Sequence, residues 1–171
     1  MAEEQSPPDR LNAIRNTFPN ARGVEITSAP SREYNCIAWA MGDTARVWWP
    51  FSRGTSGEAY WPPGVMRELS RRSFRWAFDA RGFRPCDDGS LVPGIEKVAL
   101  YEKDSKPTHA ARQLPNGRWT SKLGEAEDVE HDLSDLKGRT YGQVAAYFER
   151  ARIEPSAEPA AAPSSGQDAS T

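Results

Sequence analysis

Residues 108–123, THAARQLPNGRWTSKL, decide the fold class. Two apolar-alternating runs, Thr108–Leu114 and Arg118–Leu123, flank Pro115-Asn116-Gly117, and Asn-Gly between such runs is a strong hairpin signal. Two registers are open. If Leu114 faces Arg118, then His109, Ala111 and Gln113 share a face with Trp119, Ser121 and Leu123. If Pro115 faces Arg118, that face belongs to Thr120 and Lys122, because a one-residue slip exchanges the two faces of a strand. Just upstream, Lys97–Glu102 alternates with Val98 and Leu100 on one side, so the hairpin extends into an antiparallel β-meander.

Working outward, the flanking segments read as helices. Asp9 caps a first helix with Leu11, Ile14 and Phe18 on one face and Pro19 at its end. Val24–Ile26 alternates briefly. Asn35 caps a short apolar helix, Cys36–Met41, closed by Gly42. The Trp-, Pro- and Gly-rich stretch 47–64 reads as rigid and irregular. A helix over 63–81 turns Met66, Leu69, Phe74, Ala77 and Phe78 inward and ends at Gly82. Residues 132–152 read as containing a last amphipathic helix with Val144, Ala145, Tyr147 and Phe148 buried. Helices first, then a meander, then a helix is an α+β order.

The chain has 171 residues, a formal net charge of −2 and 37% hydrophobic residues, which suits one domain. No run approaches the ~20 apolar residues of a membrane span. The opening MAEEQSPPDR lacks a basic region followed by an apolar one, so the expected compartment is the cytoplasm. With 22 basic against 24 acidic residues, nucleic acid is not an expected partner. Arg67, Arg71, Arg72 and Arg75 form a helical ridge, but Glu68 and Asp79 interleave, and it reads as a solvated face. Two Cys and two His cannot build a four-ligand zinc site unless all take part, and neither metal nor organic cofactor is implied. Residues 1–8 and the Pro/Ala/Ser-rich 154–171 read as disordered, leaving 9–153 as the folded domain.

Cys36 opens an apolar helix after a capping Asn, where unsatisfied N–H groups and the positive end of the dipole favour a thiolate, the attacking form of cysteine. Its other reading is a small buried hydrophobe. Cys86 lies beside Asp87 and Asp88, which disfavour a thiolate, and reads as structural. His109 opens a strand, where a helix N-terminus can approach it, and imidazole exchanges protons near neutral pH. A Cys at a helix start followed by a His at a strand start is a layout of thiol enzymes.

On these residues the sequence resembles the NlpC/P60 and CHAP group of papain-like cysteine hydrolases. Asn35-Cys36-Ile37-Ala38-Trp39-Ala40 fits that group's cysteine block, and His109, the Asn116-Gly117 turn and Ser121 fall where its histidine hairpin and third polar residue stand. The chain also resembles an uncharacterised bacterial family carrying NCIAWA, THAARQL, WTSKLG and a following EH. The resemblance implies a papain-like α+β domain with N-terminal helices and an antiparallel meander. It implies a cysteine hydrolase or acyltransferase acting on an amide, ester or thioester, with a peptide, protein or small acyl partner.

In that reading Cys36 attacks the carbonyl and His109 carries the proton. The Cys36 backbone N–H and Tyr34 hold the oxyanion, and Asn35, Trp39, Trp49 and Trp61 border the substrate. Ser121 is a weak partner for an imidazole beside the family's usual His, Asn or Gln. Asp128 or His131, from Asp128-Val129-Glu130-His131, can instead fold back and take its place, although that run also reads as a solvated loop or helix start. The aromatic stretch containing Trp48, Trp49, Tyr60 and Trp61 either walls a groove or packs as a cover. The alternative function is a catalytically silent module that binds a peptide or protein partner through that groove.

Overall fold

The computed structural model describes residues 6–52 and 59–152. Three helices, α1 (Pro7–Thr17), α2 (Cys36–Ala40) and α3 (Arg71–Asp79), accompany seven strands. The strands are β1 (Glu25–Ile26), β2 (Arg84–Cys86), β3 (Ile95–Lys103), β4 (Lys106–Gln113), β5 (Trp119–Lys122), β6 (Asp128–His131) and β7 (Gln143–Ala151). They form one open sheet in the order β1-β6-β5-β4-β3-β7-β2, with every neighbour antiparallel. The architecture is therefore α+β, and the meander from β3 to β6 is its centre.

Helix starts follow from side-chain caps. The Ser6 hydroxyl accepts from Asp9 N at 3.4 Å, so the cap is Ser6 and not the expected Asp9, and α1 begins at Pro7, three residues earlier, with both prolines where a missing N–H costs least. The expected disordered stretches otherwise lie outside the described residues. Ser70 caps α3, accepting from Ser73 N at 3.1 Å. That helix is half as long as the expected 63–81, because the preceding segment is held by tertiary bonds instead: Ser73 Oγ donates to Met66 O at 2.5 Å and Trp61 Nε1 to the same oxygen at 3.0 Å.

Two larger corrections concern the sheet. The expected helix over 132–152 is a short 3-10 turn, Leu133–Leu136, followed by β7. The run Val144–Phe148 is apolar throughout and satisfies a helical period as well as a strand. Pairing decides for the strand: β3 offers its second edge along Ile95–Glu102, and Phe148 and Ala146 fall on one face while Tyr147 and Val144 fall on the other. The three-residue β2 is an addition to the expected meander; among the described residues it pairs with β7 alone.

The sheet divides two cores. Under α2 and α3 lie Ile37, Trp48, Phe74, Phe78, Val98, Leu100, Ala110 and Phe148. Under α1 and the 3-10 turn lie Ile14, Phe18, Ala99, Tyr101, Ala111, Trp119, Val129 and Leu136. Neighbouring residues of one strand thus enter different cores, as the two-residue period of a strand requires.

Candidate active site

The β4–β5 hairpin adopts the first of the two registers. Leu114 N donates to Arg118 O at 2.7 Å and Gln113 pairs with Trp119. His109, Ser121 and, through the Trp119–His131 pair, His131 consequently share the face under α1. All three are completely buried. A His109 Nε2 to Ser121 Oγ contact of 2.9 Å and a Ser121 Oγ to His131 Nε2 contact of 2.7 Å join them in a row.

The direction of this row follows from its far end. His131 Nδ1 lies 2.8 Å from the Asp132 carbonyl, which only accepts, so Nδ1 carries the hydrogen. Burial lowers the His131 pKa to about 4, so near neutral pH its Nε2 is a bare acceptor. Ser121 must then donate to His131, and its oxygen accepts from His109 Nε2–H. Burial, with the neighbouring His131 in second place, also holds His109 well below its usual value. A neutral His109 with hydrogen on Nε2 leaves Nδ1 as a lone pair, and that atom has no hydrogen-bond partner among the described residues.

Ser121 is thus the direct partner of His109, and His131 stands behind it rather than replacing it. Asp128 does not join. It lies on the opposite face, paired in register with Lys122, and accepts the Tyr34 hydroxyl at 2.7 Å. That bond uses the phenolic hydrogen expected to serve the oxyanion; burial, then Asp128, raises the Tyr34 pKa to about 12. Lys122 lies fully buried on this face, with its ammonium 5.3 Å from the Tyr34 ring centre. It donates to Gly124 O at 2.9 Å and to Ala126 O, and burial lowers its pKa.

Cys36 begins α2, and Asn35 builds that helix end. The Asn35 Oδ1 accepts from Ala38 N at 3.1 Å and from Trp48 N at 3.0 Å, while Nδ2 donates to Trp48 O at 2.8 Å. Asn35 is therefore a cap and a clamp on the aromatic stretch. Trp39 donates to Thr120 Oγ1 at 3.0 Å, and Arg112 lies over its ring. Trp61 is buried against Phe74 in the core, so it does not border a groove. Trp49 does: with Asn35, Cys36, Ser52, Thr108, Gly124 and Tyr141 it lines a cleft of about 410 Å³.

The partners of Trp39 and Tyr34 put α2 over the face of Arg112, Thr120, Lys122 and Asp128, whereas the histidine row occupies the other face. The two arrangements approach each other where β4 begins. Thr108, in the Cys36 cleft, directly precedes His109, and its hydroxyl donates to Tyr141 O at 2.6 Å. The Tyr141 ring is stacked on the His109 ring at 4.0 Å between centres and also lines the cleft.

Sequence reasoning missed Tyr141 and Lys122. Tyr141 is held by a small loop in which Gly138 and Gly142 exchange backbone bonds of 3.0 and 2.7 Å. Gly142 has φ 80° and lies against the Glu102 carbonyl with no room for a Cβ. An aromatic residue immediately before such a glycine was the available signal. Cys36 and Cys86 form no disulfide; burial raises the Cys86 thiol pKa to about 11, in keeping with a structural cysteine. Among the described residues no cluster of three or more His, Cys, Asp or Glu is disposed to hold a metal, and no helix is long and apolar enough to cross a membrane.

Fold and site together define an α+β domain whose antiparallel sheet buries a directional His–Ser–His row on one face and carries a cysteine-led helix on the other. Residues 25–149 match a domain of unknown function, DUF7689, and the chain belongs to that family. No curated protein and no solved structure matches it.

Proposed function

We propose that the domain is a thiol hydrolase or acyltransferase of papain-like type, with Cys36 as nucleophile and His109 as base. The observation that carries this reading is the row itself. A buried imidazole whose Nε2–H is committed to Ser121 and whose Nδ1 has no hydrogen-bond partner among the described residues is costly as architecture. Its Nδ1 lone pair is where an incoming proton would bind, against the cost that burial sets on a charged imidazole. In the reaction the Cys36 thiol proton passes to His109 Nδ1, and the sulfur attacks the carbonyl carbon of an amide, ester or thioester. The tetrahedral oxyanion rests on the Cys36 backbone N–H. As the carbon–leaving-group bond breaks, His109 returns the proton to the leaving group. Water, or an acceptor nucleophile, then releases the acyl group from sulfur. While His109 is charged, Ser121 accepts a stronger bond from Nε2–H and passes the polarisation to His131, the supporting role of a third residue.

The cleft at Cys36 would admit a peptide, protein or small acyl group beside Trp49, in a protein of the cytoplasm that needs neither cofactor nor nucleic acid. A second reading, a silent binding module, is favoured by a specific observation: α2 covers the face opposite to His109, and Tyr141 stacks on the imidazole.

Alkylation by iodoacetamide separates the two, in a Cys86→Ser background so that one thiol is read. A catalytic Cys36 reacts faster at pH 7 than free cysteine, and His109→Gln slows it by about tenfold or more, the scale of general-base assistance. Cys36→Ser abolishes hydrolysis of p-nitrophenyl acetate. Slow alkylation that is indifferent to His109→Gln overturns the enzyme and leaves the binding module.

A further inference from the structure

A cleft of about 780 Å³ that Cys36 does not line lies between α3 and the outer edge of β7. β2 pairs only with Tyr147, Phe148 and Glu149. Residues Gln143–Ala146 have β3 on one side and, among the described residues, no strand on the other. Leu100 pairs with Ala146 and Tyr101 with Val144, so Ala145 is an extra residue, and this edge offers backbone donors and acceptors on either side of a one-residue bulge. Above it stand Arg71, Arg72 and Arg75 of α3, all exposed. Arg71 is held by Glu102 through bonds of 2.8 and 3.0 Å. Arg72 and Arg75 have no carboxylate partner among the described residues: Arg72 Nε lies 3.3 Å from Met66 Sδ, and Arg75 leans on the Trp76 ring.

We propose that this cleft binds an extended acidic peptide, which adds to β7 as a further strand with its carboxylates under Arg72 and Arg75. The two arginines are about 4.5 Å apart along the helix axis, and alternate residues of a strand about 6.6 Å apart, a difference that long guanidinium side chains span. Arginine also matches a carboxylate with two parallel N–H donors. Val144, Ala145 and Ala146 leave the edge approachable, since two of them are alanines. Asp87 at the rim supplies one opposing charge and excludes a carboxylate from its own end. A second copy of the chain does not suit the edge. Two β7 strands related by a two-fold axis normal to the sheet would bring both α3 arginine sets together on the same face.

The probe is a fluorescein-labelled Glu-Val-Glu-Val-Glu-Val peptide, followed by fluorescence anisotropy at low salt. Saturable binding is expected, weakened about tenfold or more by Arg72→Glu with Arg75→Glu and by raised salt, as charge pairing requires. The same peptide N-methylated at alternate residues, unable to complete a backbone ladder, should bind at least about tenfold more weakly to the unaltered protein. Three results overturn the proposal: no saturable binding up to about 1 mM peptide, equal binding of the N-methylated peptide, or a protein dimer that the peptide does not dissociate. None of these depends on Cys36 chemistry.

Discussion

The two faces of the β4–β5–β6 unit share three strands and differ in kind. One buries His109, Ser121 and His131 as neutral groups in a row with a defined hydrogen-bond direction. The other carries Arg112, Lys122 and Asp128, which lie against aromatic rings, backbone carbonyls and the Tyr34 hydroxyl. The difference lies in how each face answers the loss of one group. Every member of a neutral row has a single task, and removing the middle one strands both ends. On the charged face Lys122 has two carbonyl acceptors and Arg112 has the Trp39 carbonyl and Glu96, so each of these gives up less for any one partner. That asymmetry is why the row reads as a device and the other face as a support for α2.

The sharpest break is Ser121→Ala. It leaves His109 Nε2–H and the His131 Nε2 lone pair without their bond in a dry interior, and a cost of about 2–4 kcal/mol is expected from two stranded groups. Urea unfolding measures it; a cost below about 1 kcal/mol would mean the row has no such dependence.

Acid should sharpen the comparison next. Both histidines have folded-state pKa values below the unfolded one, His131 at about 4 against 6.5. Between those values the unfolded chain binds more protons, so stability falls as pH drops from about 6.5 towards 4, by up to about 1.4 kcal/mol per pH unit for each histidine. The urea midpoint followed from pH 7 to 4 reports the slope, and His131→Asn should make it shallower. An unchanged slope in that variant would remove His131 from the account.

On the opposite face, Thr120→Val deletes the acceptor for the half-buried Trp39 N–H and should cost about 1 kcal/mol, less than Ser121→Ala. Equal costs for the two would erase the contrast between the faces. The smallest effect belongs to Tyr34. Its raised pKa keeps the folded phenol protonated while the unfolded one ionises, so wild type loses stability between pH 10 and about 12. Tyr34→Phe should lose slightly less over the same range, in parallel alkaline unfolding curves.

Much of the fold is legible in the sequence. The Asn116-Gly117 turn, the caps at Asn35 and Gly82, and the alternation of Lys97–Glu102 are local signals, and each marks the element that forms or its boundary within a few residues. Cys36 at a helix start follows in the same way, but His109, expected to open its strand at the rim of the sheet, stands fourth in β4 and is fully buried. The third position is harder. Ser121 stands at the right distance along the chain, yet a serine alone is a weak partner for an imidazole. Its worth here comes from His131, ten residues further along the chain and one strand across the sheet.

What the sequence determined by itself was therefore whatever depends on neighbours a few residues away: turns, caps and short apolar periods. The tertiary structure decided the rest, because those choices are made by distant partners. β7 is a strand since β3 offers an edge, although its apolar run suits a helix equally well. The hairpin register, on which the identity of the histidine's partner depends, is chosen by which side chains fill the core under α1. The separation of the cysteine helix from the histidine row, with Tyr141 at their approach, depends on α2 packing over one face of a sheet whose alternation sends His109 to the other.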